Sequence, residues 1–167
     1  KDGWLDNNID ICNWHGIDCS NGGSVDTIDV GSNNVIGTPP RELFELENLT
    51  YLWLYSNPIK FSFEGIGRAK RLESLLLDST GLTSMNGIGQ AYQLVDLDLR
   101  FNSIKGSIPD ELANLVNLET ISISDNLLTG ELPSVSRMHR LKSLRVANND
   151  LTGILPAFET NHRLKTV

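Results

Sequence analysis

From Val25 onward the chain repeats one alternation of apolar and polar positions every 22–24 residues. Three copies stand in plain register: LVDLDLRFNSIKGSIPDELANLVN from Leu94, LETISISDNLLTGELPSVSRMHR from Leu118 and LKSLRVANNDLTGILPAFETNHR from Leu141. Looser copies begin at Val25, Leu49 and Leu72. Each opens on a period-two segment, the signature of a short strand with one face buried and the other wet. Leu97 and Leu99, Ile121 and Ile123, and Leu144 and Val146 are therefore predicted to point inward. Self-similarity at such a period predicts a solenoid, whose units bury their apolar edges against their neighbours. The six strands should stack in parallel, about 4.8 Å apart, in one curved sheet. Function is then expected on the surfaces that stacking exposes rather than in a pocket inside a closed core.

After each strand comes a polar position, filled by Asn33, Asn57, Asn102, Asn126 and Asn149 and by Thr80 in the third copy. A carboxamide in that turn can donate to and accept from backbone groups that would otherwise cost about 1–3 kcal/mol each. A hydroxyl offers less, so the ladder should be weakest at Thr80. The second half of a copy carries Gly106-Ser-Ile-Pro109, Gly130-Glu-Leu-Pro133 or Gly153-Ile-Leu-Pro156, with proline at a position suited to a sheet edge. Phe61 to Gly65 and Thr83 to Gly87 lack that step, so the flank should be distorted around residues 61–89. Tolerated drift and a tailored surface both fit that irregularity.

These spacings resemble the plant-type leucine-rich repeat, LxxLxLxxNxLxGxIPxxLxxLxx, over about six units. The resemblance implies an α/β solenoid: a right-handed curved superhelix with a parallel β-sheet on the concave face and short extra strands at the Gly-Pro steps. Lys1 to Ser20 does not fit the repeat and resembles the N-terminal cap of such proteins in secreted receptors, with a C-x-W-x-G-x-x-C core from Cys12 to Cys19. Residues 1–24 would then form a capping segment and 25–167 one continuous domain of six repeats, broken off in a seventh. The cap implies a Cys12–Cys19 disulfide, with Trp4 and Trp14 covering the open end of the first repeat. The rival reading, a metal pair, has only two cysteines, three scattered histidines and no second ligand pair to support it. The disulfide implies an oxidising compartment, extracellular or at the cell surface. The chain opens at Lys1 inside the cap, without a signal peptide, and stops at Val167 without a closing cap, so a longer polypeptide is expected around it.

Composition narrows the partners. The formal charge of -7 and pI near 4.9 argue against nucleic-acid backbones and anionic membranes. No apolar run approaches the length of a membrane span. No cofactor or metal ion is expected. Asn48-Leu49-Thr50 is a glycosylation sequon, making Asn48 a candidate acceptor.

The outward strand positions form columns across the concave face. Tyr51, Trp53 and Tyr55 share one strand, with Leu76, Asp78, Asp98, Arg100 and Phe101 one or two repeats away. Such a cluster marks either a recognition surface for a protein, peptide or carbohydrate, or a cover for the sheet. Asp96 and Asp98 invite comparison with glycosidase carboxylate pairs. An open sheet gives no water-excluding cleft, however, and Arg100 should favour ionised carboxylates, so no enzyme activity is expected. The basic groups at 68–71, 137–140 and 162–165 read as a solvated stripe on one edge. Three function classes follow from the resemblance: a ligand-binding receptor-like ectodomain, a secreted inhibitor of glycan-degrading enzymes, and an adhesive or structural repeat protein.

Overall fold

A computed structural model describes residues 9–167; Trp4, expected in the cap, lies outside the described residues. The described strands are β1 (Ile17–Cys19), β2 (Val25–Asp29), β3 (Tyr51–Trp53), β4 (Ser74–Leu76), β5 (Asp96–Asp98), β6 (Lys105–Ser107), β7 (Thr120–Ser122), β8 (Leu127–Gly130), β9 (Ser143–Arg145) and β10 (Asp150–Leu151). Seven form one sheet in the order β1-β2-β3-β4-β5-β7-β9. From β2 to β9 every pairing is parallel and in exact repeat register, Leu52 beside Leu75, Leu75 beside Leu97, Leu97 beside Ile121 and Ile121 beside Leu144. A bridge from Ser143 to Thr166 continues that pairing. Those inward residues and their partners Leu54, Leu77, Leu99 and Ile123 are buried in one core; Val146 is half-buried against it.

The sequence pattern did not foretell β1, which runs antiparallel to β2 and pairs Ile17 with Ile28. Cys12 and Cys19 are joined by a disulfide, which ties the 3-10 turn at Ile11–Asn13 to β1. Trp14 is half-buried, and its indole N–H donates to the Ile9 carbonyl at 3.3 Å. The first repeat therefore meets a strand of the cap rather than side chains alone.

A second sheet, β10-β8-β6, lies at the Gly-Pro steps of the last three full units. Between Gly37 and Ile59 it shrinks to one bridge, and no strand of it crosses 61–89, where the step is missing. Aromatic packing replaces it there: Phe61 meets Phe44 at 6.1 Å and Phe63 at 5.3 Å, edge to face in both cases. Gly65 and Gly87, at φ of 87° and 90°, open the 3-10 turns of these two units in a left-handed conformation that glycine adopts without steric cost.

The asparagine ladder has the expected chemistry. Asn102 donates to the carbonyls of Leu77, Leu99 and Arg100 at 2.8–3.1 Å and accepts from the N–H groups of Thr80 and Leu82. Asn57 and Asn126 repeat the pattern within one bond. Thr80 is buried, and its hydroxyl donates to Leu77 O at 2.8 Å. The Ile59 N–H, which a side-chain amide at position 80 would receive, turns back to Asn57 O instead.

Candidate functional site: the concave face

Strand register fixes the columns. The first reads Thr27, Tyr51, Ser74, Asp96, Thr120 and Ser143, and the second Asp29, Trp53, Leu76, Asp98, Ser122 and Arg145. The third, from Gly31 through Tyr55, Asp78, Arg100 and Ser124 to Ala147, is held beyond the strands by backbone bonds such as Ser56 N to Asp78 O and Ser79 N to Arg100 O. All eight concave-face candidates thus lie on β3–β5 and the turns that follow them.

They do not stand equally free. Tyr51 is exposed and its ring lies 5.7 Å from that of Trp53. Trp53 is half-buried and leans along the sheet, its indole N–H donating to Ser74 Oγ at 3.0 Å. Tyr55 lies flat on the preceding repeat: a Cβ built on Gly31 would fall 2.1 Å from the tyrosine's Cζ. Two of the three aromatics therefore also cover the sheet. Some positions expected to face solvent are covered in turn. Ser74 is buried beneath Trp53, and Ser122 and Ser124 are also buried. Arg145 reaches across its neighbouring strand to Ser122 Oγ at 3.4 Å. Alternation tells which face a residue takes but not what a long neighbour lays over it.

The charged half of the site centres on Asp98 and Arg100. The guanidinium grips both carboxylate oxygens, at 2.6–3.0 Å, and Asp98 Oδ1 also accepts from the Arg100 backbone N–H. Arg100 in turn lies 5.9 Å from the centre of the Phe101 ring. Asp78 and Asp96 have no such partner at hand, and the carboxyl pKa of each is raised. Burial is the leading cause in both, followed by repulsion from Asp98; these outweigh the opposing pull of Arg100 on Asp78 and of Arg145 and then Arg100 on Asp96. Arg100 pulls both carboxyls downward, the direction expected of it, while its hydrogen bonds go to Asp98.

Phe101 is 55% exposed and sits at φ 55°. Sequence reading placed it on this face but missed the strained backbone. Ser32, Ser56, Ser79, Asp125 and Asn148 occupy the same left-handed position in the other repeats, and all are small or turn-forming. A single bulky residue in that series was the signal available in the sequence.

Elsewhere, the basic groups link repeats. Arg68 pairs with Glu45 at 2.6 Å, Lys142 pairs with Glu119, and Arg137 and Arg140 donate to Asn114 and Asn117 at 3.2 Å. Asn48 is half-buried in the turn before β3, with Thr50 Oγ1 donating to its carbonyl at 3.0 Å. Among the described residues no group of three or more His, Cys, Asp or Glu side chains could hold a metal ion. No helix there is long and apolar enough to cross a membrane.

A parallel sheet of stacked repeats, an asparagine ladder and a disulfide-closed cap define a capped repeat solenoid. The Leucine Rich Repeat family model matches residues 93–115, 117–137 and 140–161, and the chain belongs to the leucine-rich repeat proteins, in their plant-type form. It is similar to the serine/threonine-protein kinase BRI1-like 1 of Arabidopsis thaliana, 31% identical over 127 residues that make up 73% of this chain and 11% of that protein. It is also similar to receptor-like protein 9a of the same plant, 33% identical over 157 residues, 81% of this chain and 16% of the relative. Among solved structures it superposes on the Arabidopsis receptor kinase HAESA ectodomain, in complex with an N-terminally extended IDA peptide hormone, with a TM-score of 0.86 and 25% identity, covering 94% of this chain and 28% of that one. The chain thus spans a small part of each relative, and it is a repeat domain related to plant receptor ectodomains.

Proposed function

We propose that this chain is a non-catalytic extracellular binding domain of a cell-surface receptor-like protein, residues 1–24 acting as its cap and 25–167 as its repeats. Its ligand is an extended peptide laid across β3–β5. The observation that carries the reading is the continuous surface from Tyr51 and Trp53 over Leu76 to Asp98, Arg100 and Phe101, where exposed aromatic area adjoins fixed charge. Aromatic rings give a peptide backbone flat apolar area at low entropic cost, and charged groups fix its direction. Asp78 supplies a carboxylate not committed to an ion pair beside them, and Tyr55 a ridge on the cap side. The similarity to an ectodomain solved with a peptide hormone supports a peptide in particular. The disulfide and the sequon, with Asn48 as the glycan acceptor, support an extracellular setting.

The test selects binders from a displayed library of random linear peptides on the full chain and measures each by calorimetry. Peptides should be recovered that lose roughly tenfold or more in affinity to Tyr51→Ala, a change at an exposed side chain. Peptides that bind wild type and Tyr51→Ala alike, or a selection that yields none, would overturn the reading.

A further inference from the structure

The convex side carries a second site. We propose that the groove between the 3-10 turns Ile88–Gln90 and Asp110–Asn114 binds a neutral oligosaccharide. This open groove encloses about 350 Å³. Its floor is backbone, because Gly87 and Gly89 contribute no side chain, and a Cβ built on Gly89 would come within 2.4 Å of Glu111 Cβ. Glycine at 89 leaves room for Glu111, and so lets the two turns pack against each other. Around the floor stand Asn86, Gln90, Tyr92, Glu111 and Asn114.

Two departures from the repeat single out this place. At the position held by Glu47, Lys70, Val116 and His139 in other units, the third has Tyr92, 57% exposed. Asn117 anchors the tyrosine's backbone by donating to its carbonyl at 3.1 Å. The second departure is an open link. Along the adjoining column Arg68 reaches back to Glu45 at 2.6 Å and Arg137 to Asn114 at 3.2 Å. Gln90 holds the intervening place, and neither it nor the Asn86 and Glu111 side chains has a hydrogen-bond partner among the described residues. Among the described residues no side-chain bond of that column runs from Gln90 to either neighbouring turn, and the exposed Gln90, Asn86 and Glu111 side chains stand around the Tyr92 ring.

That set matches a pyranose. Its C–H face lies flat on a tyrosine, whose ring is apolar and whose hydroxyl stays wet. Amides offer a donor and an acceptor side by side, suited to adjacent hydroxyls, and a carboxylate accepts from two more. No lysine or arginine lines the groove, Arg137 at its edge is tied to Asn114, and the Glu111 carboxylate in the lining repels an acidic sugar. Peptide side chains find no apolar hole, since Pro109 and Tyr92 supply the main apolar lining. The open ends favour a chain of sugars over one.

Saturation-transfer NMR on the full chain tests this, with cellohexaose, xylohexaose, chitohexaose and, as the charged control, hexagalacturonate. At least one neutral hexamer should bind, with a Kd on the order of 0.1–1 mM for so shallow a site. Affinity should fall about tenfold in Tyr92→Ala and about threefold in Gln90→Ala, and stay unchanged in Tyr51→Ala on the opposite face. The two variants alter exposed side chains and check one another should either fold poorly. No binding of any neutral hexamer, tighter binding of hexagalacturonate, or undiminished binding in both variants would overturn the proposal. None of these outcomes touches the concave-face reading.

Discussion

Phe101→Asn should separate recognition from folding. The backbone at this position is left-handed in all six repeats, with φ between 52° and 58° in the series Ser32, Ser56, Ser79, Phe101, Asp125 and Asn148. Left-handed backbone costs a side-chain-bearing residue roughly 1–2 kcal/mol, and asparagine escapes much of that by local hydrogen bonding. Two losses oppose the gain. With Phe101 55% exposed, less than half of its surface is buried, about 1 kcal/mol of apolar burial. The contact with Arg100 at 5.9 Å contributes about 0.5 kcal/mol more at so exposed a site. The terms nearly cancel, so stability should change by no more than about 1 kcal/mol, or roughly 2–4 °C in Tm. Binding has no such compensation. An aromatic anchor in a peptide interface is worth about 2 kcal/mol or more, a loss of about 30-fold in Kd. Differential scanning calorimetry and isothermal titration with a selected peptide measure both on the same samples. A fall in Tm beyond about 8 °C would show that Phe101 holds the fold together, and an affinity within about threefold of wild type would remove it from the site.

Three further outcomes are expected. Thr80→Asn should restore the missing rung by receiving the Ile59 N–H, raising stability by about 1 kcal/mol and Tm by roughly 2–4 °C in calorimetry. Asp96 has its pKa raised by burial and by Asp98, so it favours the folded state only while protonated and opposes it once pH rises through the folded-state pKa. Asp96→Asn should therefore raise Tm at pH 7 and lose that advantage below the ordinary carboxylate range; an equal gain at both would refute the titration argument. Reducing the Cys12–Cys19 disulfide should cost the cap on the order of 2–3 kcal/mol and shift the tryptophan fluorescence before the repeats melt, so a single transition at unchanged temperature would count against a separate cap.

What the sequence disclosed follows from what a solenoid demands of it. Inward leucines and ladder asparagines recur because each layer poses the same packing and hydrogen-bonding problem, so Leu52, Leu97 and Asn102 could be placed from spacing alone. The cap strand could not, because Ile17–Cys19 occurs once and pairs antiparallel through an irregular register. Nor could the true cover of the concave face. Trp53 over Ser74, Tyr55 over Gly31 and Arg145 reaching Ser122 depend on which way a long side chain lies, which period-two alternation leaves open. The hydrogen bonds of Arg100 were hidden for a similar reason: its fork fits Asp98 two residues away on the same strand face, while its pull on Asp78 and Asp96 is smaller than the effect of their burial.

A repeat protein carries its own set of equivalent positions, and this decides how its exceptions should be weighed. A serine at the left-handed turn or a glutamate on the convex column meets the same demand as its counterparts and says little. Phe101 and Tyr92 meet that demand worse, or not at all, because one sets a bulky ring on a strained backbone and the other leaves a large ring in water. Neither is needed for stacking, since the neighbouring layers manage with Ser79 and Asp125, or with Lys70 and Val116. A side chain that the scaffold does not require, and that costs it something, is best accounted for by a contact made outside the scaffold. That argument applies to the concave turn after β5 and to the convex groove beside the Ile88–Gln90 turn. Both flank the same stretch, residues 86–114, on opposite sides of one stack of repeats. A bound peptide and a bound glycan would then meet the same few layers, and the core beneath them, Leu94, Leu97 and Leu99, is fully buried and shared by both faces.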